Sequence, residues 1–292
     1  MNAEEYSQRA FARNLGLIDE QQQRKLGESR VAVAGAGGVG GLHLLTLARL
    51  GVGKFTIADF DVFELPNINR QFGALSSTIG REKAQIVADM VRDINPFAET
   101  RVFGEGITPE NLDDFLSGVD VFVDGIDFFE IDIRRKVFQT CREKGIYSLT
   151  AAPLGFGATL QVFAPDGMSF DDYFGIRDDM EHTEKIAAFA TGLAPQPFHI
   201  KYLDLKRVSF QNRTGPAVAP ACTLAASFIA TEVVKIITGR GDIRPVPSYL
   251  QFDMMRIKVK KGRVWLGGNN PLQRLKKWVI MRKVRATMEG KV

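Results

Sequence analysis

Four small or β-branched apolar residues, Val31-Ala32-Val33-Ala34, run directly into Gly35-Ala36-Gly37-Gly38-Val39-Gly40-Gly41, and the apolar segment Leu42 to Leu50 comes at once after them. This reads as a buried strand, a glycine turn and a helix. A second apolar run, Lys54 to Ala58, ends on Asp59, with Asp61 close behind. Strand, turn, helix and acid make a nucleotide-binding βαβ unit, which commits the neighbouring chain to a parallel sheet. Gly35, Gly37 and Gly40 have the spacing that lets backbone approach phosphates at a helix N-terminus, where free N–H groups and the helix dipole favour anions. Asp59, 19 residues past Gly40, is placed to accept hydrogen bonds from ribose hydroxyls. By itself the pattern would suit an NAD or FAD enzyme equally well.

The residues beyond the acid are more discriminating. Asn69-Arg70-Gln71 lies 8–10 residues past Asp61, and Lys83 lies 13 beyond Arg70. Arg offers a planar fork of donors to phosphate oxygens and Lys a mobile point charge. Both suit a triphosphate whose α-phosphorus is attacked while pyrophosphate leaves. The competing reading of these cations is a surface salt-bridge network. Asp127, just beyond the apolar run Val121-Phe122-Val123, would face the same crevice at the C-terminal edge of the sheet. It could hold Mg²⁺ through oxygen, or serve as an acid at a helix N-terminus.

The remaining pattern alternates strands and helices as far as Phe163 and predicts a doubly wound, Rossmann-like α/β fold with a mostly parallel sheet. Residues 4–29 read as a helical arm. Gly80 to Ile94 and the segment starting at Pro109 read as helices. Residues 167–215 form a long crossover without clear periodicity, which marks such segments as functional. Val218 to Thr238 reads as an Ala-rich helix buried on most sides. Tyr249–Phe252, 256–259 and 263–266 read as three closing antiparallel strands. The expected division is an ATP-binding domain over 1–265 and a basic helical tail over 266–292.

Composition narrows the function. No continuous run of about 18 apolar residues appears, so a membrane span is not expected. The start, Met1 to Tyr6, has neither a basic nor an apolar signal region, and cytoplasmic location is expected. Cys141 and Cys222 cannot form a four-thiolate zinc site, and His43, His182 and His199 are scattered. From Arg256 onward twelve Lys or Arg face the single acid Glu289, a net +11; with +4 for the whole chain, residues 1–255 carry −7. In that tail Leu272, Leu275 and Val279, extended by Met281 and Val284, fall near one helical face among cations, with Trp278 at the boundary. The pattern suits an anionic membrane surface, an RNA backbone, or a helix docked on its own domain.

Taken together, Gly35 to Gly40, Leu50-Gly51-Val52-Gly53, Asp59-Phe60-Asp61, Asn67-Ile68-Asn69-Arg70-Gln71, Gly80-Arg81-Glu82-Lys83 and Ile94-Asn95-Pro96 resemble the ThiF/MoeB/HesA family, bacterial relatives of ubiquitin-activating enzymes, from about Tyr6 to Asp253. The resemblance implies ATP- and Mg²⁺-dependent adenylation of a carboxylate on a protein, peptide, small molecule or tRNA. Gly38 would contact the nucleotide and Asp59 the ribose. Asn67, Asn69, Arg70 and Lys83 would line the phosphates, beside Gln71, and Asp127 would bind Mg²⁺. It implies a homodimer in which an arginine of the arm, Arg13 or else Arg9, reaches the neighbouring site. Three departures stand out. Phe128 replaces the family's asparagine after the metal-binding acid, and the next arginines, Arg134 and Arg135, lie seven and eight residues past Asp127 rather than five. The family's CxxC zinc pairs are missing, so no zinc is expected. No Cys occurs between Thr150 and Ala221, so adenylation is expected without a thioester, Cys222 being read as a buried structural thiol. The readings set against this one are a dehydratase acting on threonylcarbamoyl-tRNA, an NAD- or FAD-dependent oxidoreductase, and a non-catalytic nucleotide-binding module.

Overall fold

The computed structural model describes residues 1–209 and 213–288, with side chains as far as 282. Lys283, Val284, Arg285 and Glu289 of the expected tail therefore have side chains outside the described set. Helices α1 (Ala3–Ala10) and α2 (Glu20–Glu28) precede strand β1 (Arg30–Ala34). Next come α3 (Gly40–Arg49), β2 (Lys54–Ala58), α4 (Lys83–Ile94), β3 (Glu99–Phe103), α5 (Leu112–Phe115) and β4 (Val121–Asp124). After these lie α6 (Ile131–Glu143), β5 (Tyr147–Thr150), β6 (Pro153–Leu154), β7 (Gly157–Phe163), α7 (Phe170–Phe174) and α8 (His182–Leu193). The described chain closes with α9 (Ala219–Thr238), β8 (Ser248–Asp253), β9 (Lys258–Arg263) and α10 (Pro271–Met288).

The strands form one sheet in the order β3-β2-β1-β4-β5-β7-β8-β9, with β6 paired to β7. β1 to β5 run parallel, and β7 to β9 are antiparallel. The mixed doubly wound fold is therefore the expected one. Both faces of the sheet are covered, which the strands show by alternation. Val31 and Val33 of β1 join a core with α3, α4 and α9, while Ala32 and Ala34 face a phenylalanine-rich core with α5 to α8. Sheet order reverses between β1 and β4, the position where such folds open a crevice. Ala34 is level with both Ala58 and Asp124, so the loops beginning at Gly35, Asp59 and Gly125 leave the sheet together.

Several local expectations give way to tertiary context. The arm is two helices, because Asp19 caps α2 in a reciprocal capping box with Gln22. The fourth helix begins at Lys83 rather than Gly80, since Gly80 takes a left-handed φ of +83° and the Lys83 N–H donates to the Asp61 carbonyl. α5 starts at Leu112, leaving Pro109 in the preceding turn. Two closing strands are present where three were expected; 254–257 is the turn between them, and Val264 is pinned by donation to Pro247 O. The crossover contains α7 and α8, whose aromatic residues supply the phenylalanine-rich core.

α9 is long and apolar enough to cross a membrane by length and composition. Its Ala221, Cys222, Ala225, Ala226, Ile229, Ala230 and Val233 are nevertheless buried along one face, packed with α3 and β7. Thr223, Ser227 and Thr231 stand exposed at every fourth position. It is a core helix buried on most sides, as the sequence suggests, with one wet edge.

Candidate active site

Two of the five glycines from Gly35 to Gly41 are required by the protein itself. A Cβ on Gly35, which adopts a φ of +88°, would lie 2.0 Å from Gly125 O, and one on Gly40 would lie 1.7 Å from Gly35 O. The backbones after β1 and β4 therefore touch, and any side chain would force them apart. Gly37 and Gly38 differ. Their nearest neighbours would be Gln71 Nε2 and Cys222 Sγ, each at 3.5 Å, which is ordinary contact. Nothing in the fold demands glycine there. The bare backbone lies at the start of α3, where a helix N-terminus favours anions.

Asp59 closes one side of this floor. Its Oδ2 accepts from the Ala36 N–H at 2.6 Å and its Oδ1 from the Asp61 N–H at 2.8 Å. Burial pushes its carboxyl above the usual range, against the pull of those two donors and of Lys83. Lys83 Nζ is paired with Asp61 Oδ2 at 2.9 Å and is itself buried. Arg70 lies beside Gly38, with its guanidinium donating to Asn69 Oδ1 and Pro66 O. Asn69 in turn donates to Ala217 O, tying this loop to the segment that enters α9. Gln71 is buried against Gly37, and its Oε1 has no partner among the described residues. Asn67 serves its own turn, its Oδ1 accepting from the Glu64 N–H at 3.1 Å.

Asp127 sits at the far side of the crevice. Its Oδ1 accepts from the Phe129 N–H and lies 3.2 Å from the guanidinium of Arg213, which also pairs with Glu130. The loop is held from beneath by Arg134, which in the sequence stands out only as displaced from the family's spacing. Arg134 and Asp124 form an ion pair with both side chains 2% exposed, and the same guanidinium donates to the carbonyls of Ile126 and Asp127. It also stacks 4.5 Å above the Phe189 ring of α8. Arg13 is not brought to this site. It lies in the turn after α1, where the neighbouring Asn14 donates to Leu50 O at the other end of α3, about 15 Å along that helix from the glycine loop.

The ThiF family model matches residues 11–270. This chain belongs to the ThiF family. It is 28% identical over 247 residues to a probable adenylyltransferase/sulfurtransferase MoeZ of Mycobacterium tuberculosis, covering 81% of this chain and 54% of the relative. It is 34% identical over 132 residues to a tRNA threonylcarbamoyladenosine dehydratase of Haemophilus influenzae, covering 45% of this chain and 50% of the relative. The chain thus spans about half the length of the curated relatives it matches. In fold it is similar to the crystal structure of PaaA, with a TM-score of 0.68 and 20% identity over 90% of this chain and 75% of that one.

Within this ThiF fold the position of Cys222 could not be read from sequence. It opens α9, yet the helix places its Sγ against Gly38 and within the field of Arg70. Burial pushes the thiol up to about 11, outweighing the lowering by Arg70. Cys141 packs in the other core, its thiol pushed up to about 12 by burial. The signal for Cys222 lies in the contact between α3 and α9, which no local pattern encodes.

Proposed function

We propose that this chain is an adenylyltransferase that joins AMP from ATP to a carboxylate, and that Asp59, Arg70, Lys83 and Asp127 carry the site. The observation that supports this best is the floor at Gly37 and Gly38, left bare where the fold needs no glycine and bordered by Arg70. In this reading the first N–H groups of α3 hold the phosphates, Asp59 orients the ribose, and Asn69 and Gln71 set the position of Arg70 and the loop. A carboxylate oxygen attacks the α-phosphorus. The bond from that phosphorus to the bridging oxygen breaks, and pyrophosphate leaves with the electron pair. No general base is needed for an ionised carboxylate, so catalysis is positioning and charge neutralisation.

The residues fit Mg²⁺ in one way. No group of three or more His, Cys, Asp or Glu able to hold a metal occurs among the described residues. Asp127 alone suits an ion that takes most of its ligands from phosphates and water. Bound there, Mg²⁺ would offset phosphate charge, and Arg213 would have to release the Asp127 carboxylate.

The raised Cys222 thiol supports transfer from the adenylate directly to a nucleophile, without a thioester. The acceptor is a carboxylate-bearing peptide, protein or small molecule. A carboxylate carried on tRNA is the second branch, favoured by the similarity to the Haemophilus influenzae dehydratase. Arg13, remote from its own site, supports a homodimer in which it completes the partner's. Exposed Phe60, Leu65, Ile68, Phe72 and Leu75, which flank Asn69 and Arg70 in the chain, offer the apolar surface for that contact.

ATP–pyrophosphate exchange tests the proposal. Wild type is expected to exchange in the presence of a competent carboxylate, and Arg70→Ala and Asp127→Ala to lose about a hundredfold or more. Exchange surviving both substitutions would remove the site assignment. Tight NAD or FAD binding without ATP binding would return the oxidoreductase reading.

A further inference from the structure

α10 turns an unexpected side to its own domain. Towards its own domain it turns Gln273, Lys276, Lys277, Ile280 and Met281, and Lys276 Nζ donates to Pro195 O at 2.7 Å. Other large apolar residues face water: Leu272 is 66% exposed, Trp278 57% and Leu275 56%. Leu272, Leu275 and Val279, spaced by three and four, form one strip; Arg274, Trp278 and Arg282, spaced by four, form the strip beside it. Trp265 and Leu266, just before the helix, are exposed as well. The guanidiniums of Arg263 and Arg282 stand over the rings of Trp265 and Trp278 at 4.4 and 5.6 Å. Between α8 and α10 lies a cavity of about 790 Å³ lined by Arg177, Arg274, Lys277 and Arg282, where Glu184 is the one acid among the described lining residues.

We propose that this face docks on an anionic phospholipid bilayer, its cations meeting headgroup phosphates and its Leu and Trp residues entering the acyl boundary. The shape selects this partner. Arg177, Arg274, Lys277 and Arg282 line the recess together with Met180, Trp278 and Met281, while Leu272, Leu275 and Val279 stand exposed on the outer side of the helix. An RNA backbone would use the cations and Trp278 but gain nothing from Leu272, Leu275 and Val279 held in water. A bilayer presents anions at its surface with hydrocarbon just beneath, matching both strips. The charge asymmetry of the chain, +11 after residue 255 and −7 before it, orients the basic end toward such a surface. Docking is independent of the chemistry at the nucleotide site.

Co-sedimentation of the whole protein with vesicles tests this. Binding is expected to phosphatidylcholine vesicles containing phosphatidylglycerol, with little to pure phosphatidylcholine, and to weaken in high salt. The double variant Arg274→Glu with Arg282→Glu is expected to bind at least about tenfold more weakly. Leu272→Ser with Leu275→Ser is also expected to bind about tenfold more weakly. Unchanged circular dichroism checks that each variant is folded; should the leucine variant unfold, the charge variant and the blue shift of tryptophan fluorescence on mixed vesicles decide. Wild type that ignores the mixed vesicles, or a folded leucine variant that binds undiminished, overturns the proposal. So does light scattering in which the leucine variant converts a dimer to a monomer, which would give the strip to a second copy. Binding of a single-stranded RNA oligonucleotide in place of vesicles also overturns it.

Discussion

Gly37 and Gly40 are three residues apart in one loop, and alanine is expected to act on them in different ways. At Gly40 the added methyl meets backbone 1.7 Å away, so Gly40→Ala should cost about 2–3 kcal/mol in denaturant unfolding. At Gly37 the methyl meets only side-chain atoms of Gln71 at contact distance. Gly37→Ala should keep its stability within about 0.5 kcal/mol yet lose ATP-dependent exchange. Equal stability losses would show that Gly37 serves the fold and not a ligand. His43, inside α3, sets a second test. It is fully buried, neither ring nitrogen has a partner among the described residues, and burial lowers it to about 3. The unfolded chain accepts a proton near pH 6.5 that the folded one refuses. Its contribution to stability is therefore complete above that pH and declines on acidification toward pH 3, by up to about 1.4 kcal/mol per unit. His43→Leu should flatten that part of the curve; identical slopes would contradict the burial argument.

At the scale of elements, the loop after β4 depends on one arginine. Arg134→Ala leaves Asp124 buried without its cation and frees the Ile126 and Asp127 carbonyls, at a cost of about 3–5 kcal/mol. Arg134→Met combined with Asp124→Leu should recover most of that stability, because the desolvated charges go together. If the single change costs less than about 1 kcal/mol, the ion pair does not hold the loop. The sequence made this loop half legible. The strand before it and Asp127 are readable from a β-branched run ending in acids. That Arg134 reaches back under the loop depends on α6 and on Phe189 of α8, 55 residues further along the chain. α10 shows the same limit in another form: periodicity reveals which residues share a face, and only packing decides which face docks. Leu272, Leu275 and Val279 were legible as a strip, but not that Lys276 and Lys277 would turn inward.

At the scale of the molecule, the doubly wound sheet was legible because strand alternation and the glycine turn are local patterns. The approach of Cys222 to Gly38 was not, since it joins α3 to a helix that begins some 180 residues later. The proposed dimer is also a whole-molecule property. Arg13→Ala and Arg70→Ala chains, each inactive alone, should regain about a quarter of wild-type activity when mixed, since half the dimers would then hold one complete site. No recovery under conditions where subunits exchange would place Arg13 outside the chemistry. The central claim is attack by a carboxylate oxygen at the α-phosphorus, and heavy-oxygen transfer reads it directly. When a carboxylate that the enzyme consumes together with ATP is labelled with heavy oxygen and the reaction is run to completion, the label is expected in AMP. Label in inorganic phosphate with ADP as the other product would place attack at the γ-phosphorus and contradict the assignment.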